Sequence, residues 1–158
     1  MDASKKVIVW APGRPIGQPR PRARAAGGCP ACRKGHRIYA RVYDCGAAAP
    51  FRDAVRLAAQ RAFSSPVEGP LTVSITFVFP RPKAHLRTGK RAGEIKPGAP
   101  SWHTTKPDID NTIKAALDAL QGVAFADDSA VVCIEGAKRY TRQGEGPGAL
   151  ISVSPAPP

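Results

Sequence analysis

The sequence predicts an α+β fold. It reads as one compact domain over residues 1–158, with a mixed sheet, two main helices and the element order β-α-β-α-β-β. Three observations lead there. From Leu71 to Phe79, Leu71, Val73, Ile75, Phe77 and Phe79 fall on one face and Thr72, Ser74 and Thr76 on the other, the period of a half-buried strand. Two segments, one after Pro50 and one after Pro107, repeat apolar residues at helical spacing. Short apolar runs at both ends, Val7–Trp10 and Ala149–Val153, supply further strands. A chain of 158 residues is long enough for one real core and short for two.

Each element has its own justification. Val7-Ile8-Val9-Trp10 reads as the first strand. From Pro12 to Arg24, prolines at 12, 15, 19 and 21 forbid a regular helix or a central strand. Arginines at 14, 20, 22 and 24 alternate with them, so the segment reads as an extended basic arm suited to phosphate contact. Phe51 to Phe63 places apolar residues at 51, 54, 55, 58, 59 and 62, one face of a helix. Ser64-Ser65-Pro66 ends it and Gly69-Pro70 turns the chain into the alternating strand.

Residues 80–106 read as a long, mobile basic loop. It carries Arg81, Lys83, Arg87, Lys90, Arg91 and Lys106, and it leads directly into the second helix. His85 and His103 lie in it too; as residue types they fit acid–base work, phosphate contact or plain solvation. After the second helix, Ala130 to Glu135 is a strand that Ala137 to Thr141 pairs with or extends. Cys133 falls in it and reads as a small buried apolar residue.

Charge separates this chain from an ordinary soluble domain. Lys plus Arg number 24 against 12 Asp plus Glu, and the net charge is +12. Five of the twelve acidic residues crowd between Lys106 and Ser129. A basic body around a local acidic patch points to a polyanionic partner, nucleic acid above all. No apolar run approaches a membrane span, and Met-Asp-Ala-Ser-Lys-Lys has no signal-peptide core. The expected setting is a reducing cytoplasm, where cysteines serve as thiols or metal ligands. Cys29, Cys32, His36 and Cys45, spaced C-x2-C-x3-H-x8-C, are then a candidate structural zinc set inside the 12–50 arm. The bland alternative is a loop of unligated cysteines.

The acidic stretch carries the chemistry. Pro107 keeps Lys106 out of helix, and Asp108 is a natural N-cap. Apolar residues at 109, 113, 116, 117 and 120 form one stripe. Asp110 sits about 75° from its centre, at the edge of the buried face, with Lys114 one turn on along the same flank. Asp118 rotates further, toward solvent or toward Lys114. Asp127-Asp128 follows the Gly122 break, in a segment that can pack beside the helix and bring a third carboxylate toward Asp108 and Asp110. Carboxylates so gathered repel unless a cation neutralises them, and hard oxygen ligands favour magnesium or manganese. Beside a polyanion-binding surface, that suits phosphodiester hydrolysis. Read blandly, the same residues are a cap, an i,i+4 ion pair and a polar turn.

The string Lys106-Pro107-Asp108-Ile109-Asp110-Asn111, then Lys114, Asp118-Ala119-Leu120, Gly122 and Asp127-Asp128-Ser129, resembles the signature of the RusA family of Holliday junction resolvases. The resemblance continues through Pro12-Gly13-Arg14-Pro15, Pro19-Arg20-Pro21-Arg22, Phe51-Arg52-Asp53-Ala54-Val55 and Phe79-Pro80-Arg81-Pro82-Lys83-Ala84-His85. It implies a RusA-like homodimer that cuts four-way DNA junctions with magnesium (manganese as a substitute) by paired symmetric nicks during recombination and repair. It also implies essential roles for Asp108, Asp110, Asp128 and Lys114, with Asp127 assisting. The Cys29–Cys45 segment departs from the family pattern. Two other readings stay open: a nuclease for other branched or flap DNA, and a non-catalytic zinc-containing DNA-binding module.

Overall fold

The computed structural model describes residues 6–19, 22–26, 39–43 and 46–157, with backbone alone for 22–26 and 39–43. The strands are β1 (Val7–Pro12), β2 (Arg22–Ala26), β3 (Tyr39–Tyr43), β4 (Leu71–Phe79), β5 (Val131–Tyr140) and β6 (Gly148–Pro155). The two α-helices are α1 (Ala49–Ala62) and α2 (Ile109–Leu120). One four-stranded sheet runs in the order β1-β6-β4-β5. β6 is antiparallel to both of its neighbours, and β4 and β5 are parallel, so the sheet is mixed. The α+β fold and its core order β-α-β-α-β-β are as the sequence predicts.

Differences lie in the arm and around β5. The end of the arm is a paired strand: β2 and β3 pair antiparallel as a separate two-stranded sheet. The local signal there, Arg-Ala-Arg-Ala-Ala against Tyr-Ala-Arg-Val-Tyr, is masked by the surrounding prolines. The Cys29, Cys32, His36 and Cys45 set lies outside the described residues, as does Arg20. The segments 130–135 and 137–141 are one strand, β5. Cys133 is exposed, not buried. The reason is its place on an edge strand: Cys133 pairs with Thr72, on the face of β4 turned away from the helices.

The helices cover one face of the sheet. Leu71, Val73, Ile75 and Phe77 of β4, Ile151 and Val153 of β6, and Val9 of β1 meet Phe51, Val55 and Ala59 of α1 and Ala115, Ala116, Ala119 and Leu120 of α2. All are buried. Burial of this kind, near 25 cal/mol per Å² of apolar surface, sets the register of each amphipathic element. Among the described residues no helix is long and apolar enough to cross a membrane.

The parallel β4–β5 pair needs a crossover, and α2 is its helix. α2 therefore starts at the end of the sheet where β4 and β5 finish. It returns to the end where they begin. Gly136 fixes how closely α2 lies on β5. A Cβ at Gly136 would stand 2.7 Å from Ile113 Cδ1 and 3.3 Å from Ile109 Cδ1. At the far end Gly122, with φ +76°, stops the helix, and Val67 N–H donates to Ala124 O just before β4.

The 80–106 segment is cross-braced by its own backbone. Arg87 N–H donates to Glu94 O at 2.8 Å and Lys96 N–H to His85 O at 2.9 Å. Its end lies along β5: Tyr140 N–H donates to Ser101 O, and His103 N–H donates to Lys138 O.

Candidate active site

α2 begins as the sequence predicts, with Asp108 at the N-cap position in extended conformation. The Asp108 carboxylate makes no capping hydrogen bond. Thr112 ties the first turn to the N-cap backbone, its hydroxyl donating to Asp108 O at 2.8 Å and its N–H to the same oxygen at 3.2 Å. Asp110 stands one residue into the helix, and both carboxylates are exposed. A helix N-terminus carries partial positive charge, which favours two negative side chains there.

A cleft of about 610 Å³ opens beside Asp108, lined by Gly17, Gln18, Pro19, Lys106, Pro107, Asp108 and Asn111. The basic arm docks here because Gln18 N–H donates to Asn111 O at 2.8 Å. Gly17 permits the approach. A Cβ there would meet Pro107 Cβ at 3.0 Å and Asn111 Cβ at 3.1 Å. Lys106, which lines the cleft, and Arg14 are both exposed.

The loop that presents Asp108 is held from beneath by a residue the sequence reading did not single out. Lys138 Nζ donates to Pro107 O at 2.7 Å and to Thr105 O at 2.8 Å. A signal was available: Lys138 falls on the helix-facing register of β5, opposite buried Phe77, where an apolar residue is expected. Next to it His103 is buried, its ring stacked on Phe79 at 3.9 Å and edge-on to Tyr140 at 5.0 Å. Burial, with the Lys138 charge adding to it, pushes the His103 pKa below the ordinary imidazole value. His85 meets Tyr140 edge-on at 4.9 Å. Both histidines pack around Tyr140 as parts of the loop's footing.

The remaining basic residues divide by environment. Arg81 is committed inward, donating to Thr141 O at 2.7 Å and Pro100 O at 2.8 Å, with its guanidinium 5.5 Å from the Tyr140 ring centre. Lys83, Lys90 and Arg91 are exposed. Arg87, 4.0 Å from Glu94, joins Lys90, Arg91 and Lys96 around a basic hollow of about 680 Å³. Arg22 starts β2.

Lys114 lies one turn beyond Asp110, exposed, with its ammonium 3.2 Å from Asp118 Oδ1. The third carboxylate is not with the other two. Asp127 caps a short 3-10 turn, Asp128–Ala130, accepting from Ser129 N–H at 3.0 Å and from Gln121 Nε2 at 3.1 Å. The Ser129 bonds hold its carboxyl below the usual carboxylate range. That turn sits past the C-terminus of α2, whereas Asp108 and Asp110 sit at its N-terminus. Twelve helical residues span about 18 Å. Among the described residues, no three His, Cys, Asp or Glu side chains gather closely enough to hold one metal ion. The expectation that the post-helix segment folds Asp128 back onto Asp108 and Asp110 is therefore not met within one chain. The crossover places the two groups at opposite ends of the sheet.

Comparison with known proteins fits this geometry to a family. A Bacillus subtilis (strain 168) protein described as "Uncharacterized protein YqaN" is 30% identical over 144 residues, which is 90% of this chain and 92% of that protein. The profile of the family described as Endodeoxyribonuclease RusA matches residues 12–153, from the start of the arm to β6. The match takes in the arm, both helices, β4, β5 and most of β6, and only the last residue of β1. The chain belongs to the RusA endodeoxyribonuclease family.

Proposed function

We propose that the protein is a magnesium-dependent endodeoxyribonuclease of the cytoplasm that resolves Holliday junctions by paired symmetric nicks, working as a homodimer. The observation that carries this is the pair Asp108 and Asp110. Both are exposed at the start of α2, Asp108 lines a cleft shared with Gly17, Gln18 and Pro19 of the arm, and its carboxylate makes no capping bond. Such hard carboxylate oxygens suit magnesium, with manganese as a substitute. Bound there, the ion would supply Lewis-acid charge at a phosphodiester. Asp128 is the third carboxylate we assign to the site, and a single chain does not bring it there. Lys114 adds positive charge on the same flank of α2. Arg14, Lys106 and the Arg87–Lys96 hollow are candidates for gripping the backbone, with Lys83, Arg20 and Arg22 extending the same charge.

The test is a synthetic four-way junction incubated with the protein and magnesium. Paired symmetric nicks, lost in Asp110→Asn with junction binding kept, support the resolvase. Preferential cutting of flap substrates would replace it with a nuclease for other branched DNA. Junction binding with no cleavage in magnesium or manganese would leave only a DNA-binding module.

A further inference from the structure

We infer that the indole of Trp102 stacks on an unpaired base at the branch point, and that this contact separates branched DNA from intact duplex. This deepens the resolvase reading and rests on it for the substrate.

Trp102 is 64% exposed, the more exposed of the chain's two tryptophans. Its backbone is nevertheless fixed. Tyr140 N–H donates to Ser101 O at 2.9 Å, and His103 N–H donates to Lys138 O at 3.1 Å. These two bonds flank a direct pairing of Trp102 with Arg139 of β5. In an antiparallel pair of this non-hydrogen-bonded kind, the two side chains are close and share a face. Lys138 lies on the helix-facing register, so Trp102 and Arg139 lie on the opposite face. His103, the next residue, is buried with its ring stacked on Phe79, which holds the alternation in place. Among the described residues no ring or cation is stacked on the Trp102 indole. The Arg139 charge beside it is matched by Glu145 at 2.6 Å. The spot therefore presents an open, neutral aromatic face on a rigid support.

The same strand ties that face to the carboxylates. Lys138 clamps Thr105 O and Pro107 O, and with them the loop that presents Asp108. Arg139, the next residue of β5, backs Trp102 on the other side. Six residues of chain separate Trp102 from Asp108, so their Cα atoms lie at most about 22 Å apart. One turn of duplex DNA is about 34 Å long. A strand with a phosphate at Asp108 and Asp110 thus passes within reach of the indole.

Charge alone does not tell a junction from a duplex, because both carry the same phosphates. Lys106, Arg14 and the Arg87–Lys96 hollow supply attraction that is blind to branching. An aromatic face takes a base only where the base has left its stack. The interior of an intact duplex offers none, whereas a branch point does. Stacking of one base on an aromatic side chain contributes about 5- to 150-fold in affinity. Trp10 is a poor rival for this role: it is 40% exposed, and its indole lies against Gly148.

The test is binding of a synthetic four-way junction, and of a linear duplex of the same sequence, in EDTA so that nothing is cut. Trp102→Ala should lose about 5- to 150-fold in junction affinity with duplex affinity and melting temperature unchanged. Trp102→Phe, which keeps a ring, should recover much of the loss. Junction binding unaltered in Trp102→Ala, or an equal loss on both DNAs, overturns the inference. Trp10→Phe leaves Trp102 as the sole tryptophan. Its emission should be quenched by the junction well beyond any quenching by the duplex, and equal quenching overturns the stacking contact. A wild type that neither cuts junctions nor prefers them would sink the resolvase reading instead. The same emission on a duplex with a short single-stranded gap, against an intact duplex, then decides for or against Trp102 by itself.

Discussion

Lys138 Nζ lies 2.7 Å from Pro107 O, one residue before the N-cap carboxylate Asp108. The bond crosses from the sheet to the loop, and a second to Thr105 O makes it a clamp. Lys138→Met should loosen the presentation of Asp108. Hydrogen bonds from a charged group are worth about 1.5–3 kcal/mol each at most. Partial exposure puts the expected loss near the low end, a melting temperature lower by about 3–6 °C. Junction cleavage should fall by about tenfold or more, with kcat affected more than KM and magnesium demand raised. Lys138→Arg should recover part of it. Unchanged cleavage with only a lower melting temperature would mean the clamp is purely structural.

The Lys114–Asp118 pair is exposed and spans one helical turn. Such pairs contribute about 0.3–0.5 kcal/mol. Asp118→Asn should therefore leave stability and cleavage near wild type. Lys114→Met should lower cleavage about a hundredfold with little change in melting. Equal effects of the two substitutions would contradict the separate roles given to them.

Gly148 begins β6 directly under the indole of Trp10. An added Cβ would stand 2.5 Å from Trp10 Cζ2 and 2.6 Å from the Ala11 carbonyl oxygen. The backbone oxygen cannot step aside as a side chain can. Gly148→Ala should destabilise by about 1–3 kcal/mol, as overpacking does, measured by urea unfolding with the m-value unchanged. Gly136→Ala meets only side-chain atoms, of Ile113 and Ile109, and should cost clearly less.

Stability should fall in acid through the β5–β6 turn. Arg139 holds Glu145 in a two-pronged pair at 2.6 Å, and Arg142 N–H adds a third bond. The Arg139 hydrogen bonds lower the Glu145 pKa from 4.5 to about 2. A depressed carboxylate contributes stability above its unfolded pKa and loses it as pH falls through the folded value. The contribution should thus be whole above pH 4.5 and gone near pH 2. Melting temperatures recorded across that window should drop less steeply for Glu145→Gln than for the wild type. Parallel curves would show that the pair contributes nothing.

Much of this molecule was legible in order along the chain. The period-two alternation from Leu71 to Phe79 coincides with β4 residue for residue. The stripe from Ile109 to Leu120 coincides with α2. The Lys114–Asp118 contact follows from helical spacing alone. These succeed because their causes are local: side-chain period, a proline before the helix, a left-handed glycine after it. The β2–β3 pair was hidden, since its partners lie apart in sequence and proline density argued against strands. Cys133 was misplaced because alternation tells which residues share a face, not whether the strand lies at the edge of its sheet.

For the acidic stretch the division is sharpest. Sequence by itself determined that Asp108 and Asp110 flank the start of one helix, that Lys114 follows a turn later, and that Asp128 lies past the helix end. Only the tertiary structure decided that Asp128 is remote from the other two. A parallel β4–β5 pair must be joined by a crossover, so whatever precedes α2 and whatever follows it are delivered to opposite ends of the sheet. Nearness in sequence cannot overcome about 18 Å of intervening helix.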